Sequence, residues 1–128
     1  MQLSAAIFTA AVLLGGSGLV IKDLKKGHGV GAKDGDSISV KYVGKLKDGT
    51  VFDSTQKEGG KPFTITLGAH QVIPGWDKGL VGMKVGGKRR LTIPPDMAYG
   101  ARGIPGVIPP NSTLIFDVDM VSIKAAGK

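Results

Sequence analysis

Apolar and polar residues alternate along most of this chain, the signature of strands with one buried face. Between Ser37 and Lys47, Ile38, Val40, Tyr42 and, less regularly, Leu46 fall against polar neighbours. Phe63, Ile65 and Leu67 repeat at period two, so Pro62 to Leu67 is a second strand, stopped by Gly68. Thr113 to Lys124 puts Leu114, Phe116, Val118 and Met120 on one face, and Asp117 and Asp119 make the other partly wet. Leu19 to Leu24, Val51 to Ser54 and Lys88 to Ile93 complete the set, with Leu19 to Leu24 an edge strand. Turn chemistry separates them: Lys33-Asp34-Gly35-Asp36, then Asp48-Gly49, then Gly86-Gly87.

Only one helix is predicted, from Pro74 to about Val81. Proline is tolerated in a first helical turn because the N–H it lacks has no partner there. Gly79 weakens that helix. Gln56 to Lys61 reads as a polar loop. Pro94 to Asn111 is long and irregular, yet its prolines, Tyr99, Ile104, Val107 and Ile108 predict an ordered, packed loop. The expected fold is α+β, a small twisted antiparallel sheet wrapped on one short helix.

Met1 to Ile21 contains no charge, and Ala5 to Leu14 is an apolar run followed by Gly15-Gly16-Ser17-Gly18. Three readings stay open for residues 1–18: a signal peptide lacking a basic start, a peptide appended through a Gly/Ser linker, or an anchor or strand. The first would make the protein secreted, periplasmic or resident in the endoplasmic reticulum; otherwise it is cytoplasmic. The run is too broken for a spanning helix. Residues 19–125 form the expected folded domain, and 128 residues suffice for one core.

The 21 Gly and 7 Pro fit a fold of turns and structured loops. Without Cys there is neither a disulfide nor a thiolate nucleophile. The net charge of +7 raises nucleic acid or an anionic membrane as partners. The bases are scattered, however, and in a strand Lys88 and Arg90 face away from Arg89. No aromatics interleave with them, so a solvated basic surface is expected rather than a nucleic-acid platform.

Catalytic groups of the ordinary kind are few. His28 and His70 lie in unrelated contexts without metal-ligand spacing, and no nucleophile triad, nucleotide loop or paired carboxylates can be read. The chain instead concentrates large apolar residues beside turns: Tyr42, Phe52, Phe63, Val72, Ile73, Trp76, Tyr99 and Phe116, with Asp53 next to Phe52. Such a set suits an apolar pocket with a few convergent polar groups. On residue types alone, Trp76 reads first as a core residue, with the floor of that pocket as the sharper alternative.

From about Leu19 to Lys124 the chain resembles the FKBP-type peptidyl-prolyl isomerases. The resemblance is carried by Phe52-Asp53-Ser54, Lys61-Pro62-Phe63, Val72-Ile73-Pro74-Gly75-Trp76, Ala98-Tyr99-Gly100 and Gly103 to Pro110, with Leu114 to Val118 after them. It implies that Trp76 lies under a substrate's proline ring, walled by Tyr42, Phe52, Phe63, Val72, Ile73 and Phe116. The Ile73 N–H and the Tyr99 hydroxyl would meet substrate carbonyls, Asp53 would stand at the rim or wall, and Ile108 would face the ligand. Each has a plainer role open to it: Tyr42 and Phe116 as core, Asp53 as a strand acid, Tyr99 as a loop anchor. Ile104 stands where some relatives have His, which leaves substrate preference open.

The implied activity is rotation of X–Pro bonds in proline-containing peptides and unfolded chains, with no cofactor and no metal. Tacrolimus or rapamycin would then be pocket inhibitors, and a monomer is expected. The rival is a non-catalytic module that holds proline peptides in the same pocket.

Overall fold

A computed structural model describes residues 18–126. The apolar run and the linker at 15–17 lie outside the described residues. Six strands form one sheet: β1 (Val20–Lys25), β2 (Ser37–Leu46), β3 (Val51–Ser54), β4 (Phe63–Thr66), β5 (Lys88–Ile93) and β6 (Leu114–Lys124). Their spatial order is β1-β5-β6-β2-β3, with β4 also on β2, and every pairing is antiparallel. β1 is an edge, as its pattern predicts. The long strand β2 is shared: Ser37 to Val40 pair with β4, while Val43 to Lys45 pair with β3. This sharing brings distant segments to one place.

Helix α1 (Pro74–Gly79) crosses one face of the sheet. It is shorter than the sequence suggests, ending at Gly79 with Leu80 as its cap. Gly75 and Gly79 are the reason it lies so close: a Cβ on Gly75 would come 2.5 Å from Ile93 Cγ2, and one on Gly79 2.7 Å from Leu91 Cδ2. Gly79 therefore serves packing, at the expense of helix propensity. The core between helix and sheet holds Ile38, Val40, Leu80, Leu91, Ile93, Leu114 and Val118, all fully buried. In β6 the alternation is interrupted by a bulge: Ser39 faces Ser122, yet Val40 faces Met120. The extra residue, Val121, returns Ile123 to the position opposite Ile38.

Three segments differ from their sequence reading. The polar loop after β3 opens as a 3₁₀ turn, Thr55–Glu58, closed by Gly59 at a φ of 77°. The long segment after β5 begins with a second 3₁₀ turn, Pro95–Met97. It is then pinned by paired bonds between Ile104 and Ile108 and by the Asn111 N–H on Gly100 O. The basic strand β5 is not simply solvated. Arg90 makes a two-pronged bond to Asp117 (2.7 and 3.0 Å), Lys88 lies 3.8 Å from Asp119, and Arg89 is buried against Asp23. Opposite charges on paired strands account for this, which a one-strand reading cannot see. Among the described residues, no helix is long and apolar enough to cross a membrane.

Candidate active site

A cup of about 230 Å³ opens at the N-terminal end of α1. Trp76 reaches it because Pro74 starts the helix: the Ile73 carbonyl accepts the Trp76 N–H at 2.9 Å, directing the first turn into the sheet. The indole is 3% exposed, and that remainder lines the cup. Three rings meet it edge to face: Tyr42 from β2 at 5.0 Å, Phe116 from β6 at 5.3 Å and Phe63 from β4 at 6.2 Å between centroids. Phe52 from β3 continues the wall, 5.5 Å from Phe116 at 87°. Edge-to-face contacts fix each ring's orientation as well as its position. Gly44 makes room for this wall, since a Cβ there would lie 2.7 Å from the Phe116 ring.

Polar groups are sparse, and most are already engaged. Asp53 Oδ2 accepts the Tyr42 hydroxyl at 2.7 Å, and its Oδ1 accepts the Ser54 N–H at 2.9 Å. Beside the buried indole N–H of the floor, two donors are left over. The Ile73 N–H precedes the first helical turn and donates to no protein acceptor among the described residues. The Tyr99 hydroxyl, on a side chain 39% exposed at the mouth, likewise has none. Burial of its ring, and then the negative charge of Asp53, push the Tyr99 phenol above its usual range. On the floor, Trp76 Nε1 is buried without an acceptor among the described residues.

The structure thus brings together Tyr42, Phe52, Asp53, Phe63, Val72, Ile73, Trp76, Tyr99 and Phe116. It does not bring Ile108 to the cup. That side chain is buried, and its main chain is tied to Ile104 by two 2.8 Å bonds, which turns the loop tip toward a separate groove with Leu46 and Pro109. Gln71, unremarked in the sequence, does line the cup, with Oε1 held by the Thr66 N–H at 2.8 Å. Its only sequence signal is its place directly before Val72-Ile73. His70 is 92% exposed beyond the rim, and among the described residues no cluster of acids or histidines could hold a metal ion.

A walled apolar cup with two spare donors can hold a five-membered ring and grip carbonyls, but it contains no group placed for bond cleavage. Known proteins agree with that chemistry. The family model for FKBP-type peptidyl-prolyl cis-trans isomerases matches residues 29–121. The chain is 57% identical over 107 residues to FK506-binding protein 4 of Neurospora crassa, covering 84% of this chain and 22% of that one. It is 54% identical over 114 residues to FK506-binding protein 4 of Dictyostelium discoideum, covering 89% and 30%. The chain therefore spans less than a third of these curated relatives. Among solved structures, AtFKBP13 superposes with a TM-score of 0.78 at 44% identity, covering 85% of this chain and 94% of that one. FkpA from Escherichia coli gives 0.78 at 46%, covering 87% and 50%. By its sequence and its fold, the chain belongs to the FKBP-type peptidyl-prolyl cis-trans isomerase family.

Proposed function

We propose that this chain catalyses cis-trans rotation of X–Pro bonds in peptides and unfolded proteins, and that tacrolimus-type macrolides occupy the same cup. The observation that carries the reading is the indole floor of Trp76 in a cup that also presents two donors with no protein acceptor among the described residues, the Ile73 N–H and the Tyr99 hydroxyl.

Amide resonance sets a barrier of roughly 18–20 kcal/mol to this rotation. The planar amide is charge-separated and well solvated, whereas the twisted amide is less polar. A water-poor aromatic wall therefore favours the twisted form over the planar one. The proline ring rests on Trp76 between Tyr42, Phe63 and Phe116. The Ile73 N–H and Tyr99 O–H hold substrate carbonyls, so one side of the bond is fixed while the other turns. Asp53, braced by Tyr42, keeps a negative charge at the wall. No proton moves and no covalent bond forms in this scheme. Each ~1.4 kcal/mol of preference for the twisted amide gives about tenfold in rate.

NMR exchange spectroscopy on an X–Pro peptide, run beside Trp76 fluorescence, tests the proposal. Faster exchange with a shifted indole emission is expected. Binding without faster exchange would reassign the chain as a proline-binding module. Unchanged emission at saturating ligand would place the ligand away from Trp76.

A further inference from the structure

At the opposite end of α1 from the cup lies a second cavity, of about 280 Å³, between the end of β1 and the Gly82–Gly87 turn. It shares no lining residue with the first. Its floor is Arg89, only 8% exposed. Arg89 Nε donates to Asp23 Oδ1 at 2.7 Å, and Nη1 donates to the carbonyls of Gly79 (2.8 Å) and Val81 (2.9 Å). Nη2 donates to no protein acceptor among the described residues, and it is not sealed from solvent.

Lys25, Lys26 and Lys84 line the same cavity, all three exposed and none in an ion pair among the described residues. With Asp23 cancelling Arg89, the lining carries +3 from the lysines alone. Backbone packing holds the two segments together. A Cβ on Gly27 would come 2.5 Å from the Lys84 carbonyl oxygen, and the His28 N–H bonds Val85 O at 2.8 Å.

The geometry points to an oxyanion site at Arg89, taking a ligand of the phosphate class. The solvent-facing Nη2 of a guanidinium fixed by three other bonds supplies directed bonds, and the lysines supply point charge. A water occupies about 30 Å³, so the cavity admits a tetrahedral dianion with several waters. The dianion is either free phosphate or a phosphomonoester on a peptide side chain. The site stands independently of the isomerase reading, because none of its residues touches the cup.

The test is a heteronuclear NMR titration of the whole chain, first with inorganic phosphate and then with a short phosphoserine peptide. Saturable shifts confined to Lys25–Gly27, Gly82–Gly87 and the Arg89 side chain are expected. Arg89 also ties down the helix end, so the variant replaces Lys25→Gln together with Lys84→Gln. It should weaken the apparent affinity roughly tenfold while X–Pro exchange activity stays at the level of the unsubstituted chain. Tighter binding of the phosphopeptide assigns a phosphomonoester, equal binding assigns free phosphate, and both uphold the site. Shifts that never saturate, spread over the other lysines or survive the double substitution overturn it.

Discussion

The Tyr42 hydroxyl donates a 2.7 Å hydrogen bond to Asp53 Oδ2, joining β2 to β3 at the wall of the cup. The strand pairing aligns Gly44 with Asp53, so the long Tyr42 side chain reaches the carboxylate along the same face. Tyr42→Phe keeps the ring and its contacts with Trp76 and removes the hydroxyl that makes this bond. Stability should fall by about 1 kcal/mol in urea unfolding. A less firmly braced Asp53 should lower kcat/KM on an X–Pro peptide roughly two- to tenfold. Unchanged kinetics with reduced stability would leave Asp53 a structural acid.

Tyr99→Phe removes a donor at the mouth and should leave the fold untouched, since the hydroxyl has no protein partner among the described residues. Affinity for tacrolimus should drop roughly five- to tenfold in a fluorescence titration, the worth of one hydrogen bond. pH gives a second handle. Burial, then the Asp53 charge, raise the folded-state phenol above its unfolded value. The neutral form's contribution is complete below the unfolded value and is lost as pH rises through the folded one. Ligand binding should therefore persist past the ordinary tyrosine range and then fall, whereas Tyr99→Phe should lack that alkaline limb.

Most strands are readable in the sequence because they bury one face: period two holds along β5 and through β6 as far as the Val121 bulge. The cup is less so. Its members run from Tyr42 to Phe116 and meet only because β2 pairs with β3, β4 and β6 at once. No local pattern encodes that meeting; the family resemblance supplied it. Charge in β5 was legible by face but not by partner, because Asp23 lies 66 positions from Arg89. Ile108 lies in the packed loop and not in the lining of the cup; hydrophobicity in an irregular loop does not say which way the loop folds. Gln71 carries no periodic signal, and Gly79 looked like a flaw in a helix until its distance to Leu91 gave it a purpose.

Arg90 and Asp117 form a two-pronged tie between β5 and β6. The Arg90 hydrogen bond first, and its charge as well, hold the Asp117 carboxyl below the usual range, against the opposing effect of burial. A depressed carboxylate stabilises above its unfolded value, near pH 4, and loses that contribution as pH falls through the folded value. Asp117→Asn should thus cost about 1 kcal/mol at neutral pH, a modest figure because the Arg90 side chain is 42% exposed and screened. The gap between the two proteins should close in acid. Urea unfolding at neutral pH and in strong acid checks both halves, and a gap independent of pH would mean the substitution acts through packing.

Gly75→Ala separates helix propensity from packing. In an unconstrained helix the change is favourable by roughly 0.5–1 kcal/mol, and no positive φ is recorded at this position. Here the new methyl would stand 2.5 Å from Cγ2 of Ile93, a side chain with no exposed surface and nowhere to move. Overpacking of that kind costs about 1–3 kcal/mol, more than the propensity gain. The variant should be less stable by about 1–2 kcal/mol. Because Trp76 is the next residue, a displaced helix should also weaken ligand binding. A double-mutant cycle with Ile93→Ala identifies the cause: once the isoleucine is gone, the alanine should regain its ordinary stabilising sign. Persistent destabilisation in that background would mean that α1 lies close to β5 for a reason other than the Gly75–Ile93 contact.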